Sequence, residues 1–164
     1  MKGIALAVCL WLSVFSAAVQ AQTKYSGTLR CGKAEKGYKI ELGDQSNHAF
    51  VLNQVLCEHF KPGEIAGINF KQTVSSGTAE ITGNTSRWQG FNVDTMANGD
   101  KIFARLQCTF SLNADGTTKN GECEFTQTGG TGKFAGIKGE GTAKGTAVGD
   151  GSVNWEYDGQ YVLK

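Results

Sequence analysis

Apolar and polar side chains alternate with a period of two through most of the chain, and no segment sustains the i, i+3, i+4 apolar recurrence of an amphipathic helix. Tyr25, Gly27, Leu29 and Cys31 alternate with Lys24, Ser26, Thr28 and Arg30, and Tyr38, Ile40 and Leu42 alternate with Lys39 and Glu41. The run HAFVLNQVLC from His48 is apolar on both faces, as a central strand is. KPGE at 61–64 reads as a turn, and 65–74 and 78–85 read as two weaker strands.

Two later stretches predict hairpins with a register. In FNVDTMANGDKIFARLQCTF, Asn98-Gly99 is the strongest short-range hairpin signal. A two-residue turn there pairs Ala97 with Asp100 and, counting outward, Thr95 with Ile102, Val93 with Ala104 and Phe91 with Leu106. That apolar face continues through Cys108 and Phe110. The opposite face then carries Asn92, Asp94, Lys101, Arg105 and Gln107, with Trp88 and Phe103 among them. A second hairpin turns within NADGTTKNGE, between Cys108 and Cys123.

From Ala135 onward odd positions are small (Gly139, Gly141, Ala143, Gly145) apart from Ile137, and even positions are polar. GDG at 149–151 predicts a three-residue hairpin loop, after which the odd positions become Val153, Trp155, Tyr157, Gly159, Tyr161 and Leu163. Folding the two runs about Asp150 sets Gly145 against Trp155, Ala143 against Tyr157, Gly139 against Tyr161 and Ile137 against Leu163. Rings across from glycines cover bare backbone, and the glycines permit the bending that a closed sheet needs. Short strands at regular spacing, about eight of them, predict an all-β fold: a closed antiparallel eight-stranded β-barrel, with a β-sandwich as the alternative.

The ends and the composition refine this. Lys2, an apolar run to Phe15 and the small-residue end SAAVQA predict a signal peptide over residues 1–21, cleaved before Gln22, with a single β-barrel domain over 22–164. The chain is therefore read as exported, periplasmic or extracellular. Loss of Lys2 with the leader leaves equal numbers of basic and acidic side chains, which argues against nucleic acid or an anionic membrane as partner. No other apolar run is long enough for membrane insertion as a helix. Cys31, Cys57, Cys108 and Cys123 remain, an even number that predicts two disulfides. Sequential pairing is favoured, with loops of ~25 and ~15 residues each contributing about 3 kcal/mol.

GGTGKFAGIKGEG, from Gly129, resembles the glycine-rich segment of the allene oxide cyclase and dirigent barrels. VDTMANGDKIF (93–103) with GSVNWEYDGQY (151–161) resembles a group of small exported bacterial proteins of unassigned function related to that superfamily. The resemblance implies an eight-stranded antiparallel barrel with an apolar lumen. It also brings the expectation of a homo-oligomer, since plant members are often trimers that handle small hydrophobic substrates. No catalytic residue of a cyclase or dirigent protein maps onto a position here, and fold alone does not transfer function.

Candidate chemistry is sparse. GGTGK at 129–133 lacks the spacing and following helix of a phosphate loop. Cys57 and His59 share a strand face with His48 nearby, but an exported chain favours a disulfide there, so no metal is expected. Asp94 with Arg105 reads as a surface ion pair, and Glu156 and Asp158 sit on the outward face of the last strand. No nucleophile triad is present, so no catalytic residue and no cofactor are assigned. The lumen candidates are Phe91, Val93, Ile102, Leu106 and Phe110 from the middle hairpin, and Ile137, Trp155, Tyr157 and Tyr161 from the last. Either these fill the barrel, which glycine–aromatic pairing favours, or they line a cavity for one small apolar ligand. The function expected is non-enzymatic binding of such a ligand. The alternatives are a cyclase or isomerase using Tyr157 or Tyr161, and an envelope interaction module acting through Trp88 and Phe103 on the outer face.

Overall fold

The computed structural model of the chain describes residues 22–163, so the expected leader lies outside the described residues. Ten strands follow one another among these residues: β1 (Thr23–Cys31), β2 (Lys36–Glu41), β3 (His48–Lys61), β4 (Glu64–Ile65), β5 (Ile68–Thr82), β6 (Thr85–Met96), β7 (Lys101–Leu112), β8 (Thr118–Gly130), β9 (Lys138–Ala147) and β10 (Val153–Val162). One 3-10 turn, Gly132–Phe134, joins β8 to β9. No helix among the described residues is long and apolar enough to cross a membrane.

Eight of these strands close a barrel in the order β1-β10-β9-β8-β7-β6-β5-β3 and back to β1, every pair antiparallel. Closure leaves the eight without a free edge. β3 is shared: its C-terminal part pairs with β1, from Cys31–Cys57 to Thr28–Lys61, and its N-terminal part with β2, from Lys36–Gln54 to Glu41–Ala49. β2 therefore hangs on the outside of the closed wall, and all six of its residues are exposed. The two weaker strands expected over 65–74 and 78–85 are one strand, β5, which runs unbroken through Ser75, Ser76 and Gly77. Hydrogen bonding to β3 on one side and β6 on the other overrides the poor strand propensity of that stretch.

The last hairpin has the expected register, with Trp155 opposite Gly145, Tyr157 opposite Ala143 and Tyr161 opposite Gly139. Its loop is 149–151: the Val148 N–H donates to the Ser152 carbonyl at 2.7 Å, and Gly151 takes φ +84°. A Cβ added at Gly145 or at Gly121 on β8 would lie within 2.9 Å of the Trp155 ring, so the indole rests directly on bare backbone of two neighbouring strands.

The middle hairpin corrects the sequence expectation. Its loop has three residues, not two. The Met96 N–H donates to the Asp100 carbonyl and the Gly99 N–H to the Met96 carbonyl, each at 2.9 Å, with Gly99 at φ +88°. This is a tight turn followed by a left-handed glycine, whose twist suits the flanking strands. Asn98 Oδ1 accepts from the Asp100 N–H at 3.1 Å and fixes the shape. The pairs become Thr95–Lys101, Asp94–Ile102, Asn92–Ala104 and Gly90–Leu106. β7 keeps its expected faces, but every β6 side chain changes sides, as a one-residue slip demands. Trp88, Asn92, Asp94 and Met96 turn inward. Phe91 and Val93 turn outward, and Phe91 is 56% exposed with the Arg105 guanidinium 5.4 Å from its ring centre.

The interior has two halves. At the end formed by the β6–β7 turn, β4 and the 3-10 turn, Ile65, Met96, Ile102, Phe134 and Ile137 are completely buried together with Phe70 and Tyr161. The strand expected from Ala135 starts only at Lys138, because 132–134 turn inward and drive Phe134 into that end. In the other half Trp88, Trp155, Ala79, Cys108 and Cys123 form a second cluster. The disulfides are Cys31–Cys57, across β1 and β3, and Cys108–Cys123, across β7 and β8.

Candidate functional site

A cavity of about 350 Å³ runs down the lumen, walled by the second cluster and ending on the first. Its mouth lies among Lys33, Leu112, Gly116 and Gly151, at the end of the barrel opposite the Phe134 plug. Leu106, Phe110, Trp88 and Trp155 make its walls, with Phe110 edge-on to Trp155 at 5.8 Å. The Trp88 indole N–H is satisfied by Asn53 Oδ1 at 2.9 Å.

The floor is polar. Strand alternation sends Tyr25 from β1, His59 from β3, Thr73 from β5, Asp94 from β6, Gln127 from β8 and Tyr157 from β10 to the same level. Four hydrogen bonds there run in one direction. The Gly63 N–H donates to Tyr157 Oη at 2.9 Å, and the Tyr157 hydroxyl donates to His59 Nδ1 at 3.2 Å. His59 Nε2–H donates to Thr73 Oγ1 at 2.9 Å, and the Thr73 hydroxyl donates to Asp94 Oδ1 at 2.6 Å. Thr73 has one hydrogen and gives it to the carboxylate, so it must accept from His59, which sets the imidazole tautomer.

Burial governs the charges of this floor. It pushes His59 down to about 4, which keeps the ring neutral at physiological pH. It pushes Asp94 up to about 6, offset in part by the Thr73 hydrogen bond. Tyr157 is raised to about 12 and Tyr25 well above the ordinary phenol value, both chiefly by burial, so both stay protonated. Tyr25 and His59 stack on Phe70, at 5.8 and 5.2 Å between ring centres. The Gln127 side-chain amide donates to Tyr25 Oη at 2.9 Å, while its own oxygen has no partner among the described residues.

The residues proposed for the lumen thus separate into three groups. Leu106, Phe110, Trp155 and Tyr157 line the cavity, as do all four disulfide cysteines. Ile102, Ile137 and Tyr161 lie beneath it in the sealed end, where Tyr161 Oη accepts from the Ala66 N–H at 3.0 Å. Phe91 and Val93 are on the outer wall, because of the slipped β6 register. The same slip separates Asp94 from Arg105, which face opposite sides of the sheet. Trp88 is inside rather than on the wetter face, whereas Phe103 keeps the outward face of β7; the exposed apolar residues of the outside also include the cross-strand pairs Tyr38–Leu52 and Ile40–Phe50 of β2 and β3. His48 binds Asp44 and Glu80 at the start of β3, Cys57 is in a disulfide, and His59 faces the floor, so these three are not gathered. Glu156 and Asp158 are exposed on β10. Of the floor residues, the sequence singles out Asp94 only as a surface partner of Arg105, and Thr73, Gln127 and Tyr25 not as a site. The signal for Asp94 is its shared parity with Trp88 and Met96, two large apolar side chains of β6.

No family model and no curated protein matches the chain. Among solved structures, the chain is similar to a pterocarpan synthase dirigent protein, with a TM-score of 0.49 and 14% identity, covering 95% of this chain and 100% of that one.

Proposed function

We propose that this chain is an exported, non-enzymatic barrel that holds one small, largely apolar molecule in its lumen. The observation that carries the reading is the cavity itself: open at one end, plugged at the other, with apolar walls and a polar floor that can orient an occupant. Export is supported by the leader pattern and by two disulfides that need an oxidising compartment. Native mass spectrometry of the protein purified without detergent tests this: an adduct of small mass that an apolar solvent strips away is expected, and refolded protein that takes up no apolar compound counts against it.

The isomerase alternative gains one specific support. Asp94 presents a carboxyl that titrates near the middle of the pH range at the end of a directed hydrogen-bond chain, which is what a group that takes and returns a proton requires. Under that reading Asp94→Asn abolishes turnover of a bound compound and leaves its binding in place.

A further inference from the structure

Resting on the lumen-binding reading, we propose that the occupant is a cation: an apolar molecule ending in a protonated amine, seated with its nitrogen against Asp94. The lumen wall carries two charged side chains among the described residues, Asp94 on the floor and Lys33 at the mouth. Asp94 is 8% exposed, and none of the ion pairs in the described residues includes it. Among the described residues its single hydrogen-bond donor is the neutral Thr73 hydroxyl, on Oδ1, and none of them donates to Oδ2. His59 stands one hydrogen bond further off and spends its Nε2 proton on Thr73. A buried carboxylate in this setting lacks a counter-charge, and buried charges are ordinarily paired. An ammonium brings both the charge and the donors.

The surroundings fit the same chemistry. Tyr25, Phe70 and Tyr157 surround the floor with rings 5.8 to 6.1 Å apart, and aromatic faces attract desolvated cations. A carboxylate or phosphate head at this level would meet Asp94 and be repelled. An alcohol would donate one hydrogen bond but leave the charge unpaired. The cavity lies at the small end of the range for organic ligands, enough for one ring system and a short chain.

Three probes with one skeleton separate the possibilities: tryptamine, tryptophol and indoleacetate, titrated calorimetrically near neutral pH. Tryptamine is expected to bind about tenfold or more tighter than tryptophol. Asp94→Asn should remove that preference, while Thr73→Val, which keeps the carboxylate, should retain it. Tryptamine affinity should also fall below about pH 6 as Asp94 takes a proton, with tryptophol indifferent. The other titratable groups facing Asp94 are His59, Tyr25 and Tyr157, none of which changes charge just below that pH. Equal binding of amine and alcohol, tightest binding of indoleacetate through Lys33, or a preference that survives Asp94→Asn overturns the cation assignment and leaves lumen binding standing. Binding of none of the three overturns both.

Discussion

The two halves of the barrel interior are both built around apolar side chains, yet one is filled and the other is hollow. In the sealed half, Ile65, Met96, Ile102, Phe134 and Ile137 meet at the axis and exclude solvent completely. In the open half, Trp88, Trp155 and Phe110 leave about 350 Å³ between them. The difference lies in how rings and glycines are paired. Trp155 lies flat on Gly121 and Gly145, so it takes up the space under itself rather than the space in front. Glycine–aromatic pairing, which in sequence argues for a filled core, thins the wall and keeps the lumen open. Filling is done by Ile65, Met96, Ile102 and Ile137 and by Phe134 delivered from a turn, with Phe70 and Tyr161 beside them.

The contrast is sharpest under truncation. Phe134→Ala should cost about 3–5 kcal/mol in denaturant unfolding, because nothing beside the plug can collapse into its place. Leu106→Ala, on the cavity wall, should cost about 1 kcal/mol, since that side chain already borders empty space. Equal losses would mean that the two halves are packed alike.

Next in size is the pH response of the floor. Asp94 has a folded value above its unfolded one, so the folded state holds the extra proton, and stability from this group rises as pH falls from about 6 towards the ordinary carboxyl value. His59 has a folded value below its unfolded one, so stability from it is lost as pH falls from about 6.5 towards about 4. The two trends oppose each other, each worth on the order of 2–3 kcal/mol. His59→Gln should therefore give a protein that gains stability on acidification across that window, and Asp94→Asn one that loses it. Chemical denaturation at several pH values reads both slopes; variants with parallel profiles would show that the floor does not titrate as described.

Gly99→Ala should cost about 1 kcal/mol, since the left-handed conformation is needed to close the three-residue loop that puts Met96 in the sealed half and Asp94 in the open one. The smallest effect belongs to the outer wall. Ile40→Lys on the fully exposed β2 should change stability by less than about 0.5 kcal/mol. Sedimentation of that variant against the parent also tests the homo-oligomer that the exposed Tyr38–Leu52 and Ile40–Phe50 pairs would support.

Much of this fold was legible in the alternation of side chains, and the two hairpins explain where legibility stopped. GDG at 149–151 and the loop 97–99 have the same length and the same left-handed closing glycine. In the last hairpin Trp155, Tyr157 and Tyr161 all face small residues (Gly145, Ala143 and Gly139), so one register fits. In β6 the odd positions offer Phe91 and Val93 while the even ones offer Trp88 and Met96, and either face can be read as core. Asn98-Gly99 suits a two-residue turn as well as a longer one, so local sequence does not decide. Burial of Met96 and Trp88 does, and it carries Asp94 inside with them. Disulfide pairing is local and follows from adjacent strands. The floor gathers residues from six strands, and its convergence depends on closure and stagger of the whole barrel, which no local window encodes.

The central claim is that the lumen is an accessible binding cavity. Titration of an apolar, environment-sensitive dye such as N-phenylnaphthylamine into the native chain, and into a variant crowded at mid-lumen by Ala104→Phe with Leu106→Trp, tests it most directly. Saturable one-to-one binding that the crowded variant loses while keeping its circular dichroism spectrum is the predicted result. Absence of binding, or binding that crowding leaves unchanged, would contradict it.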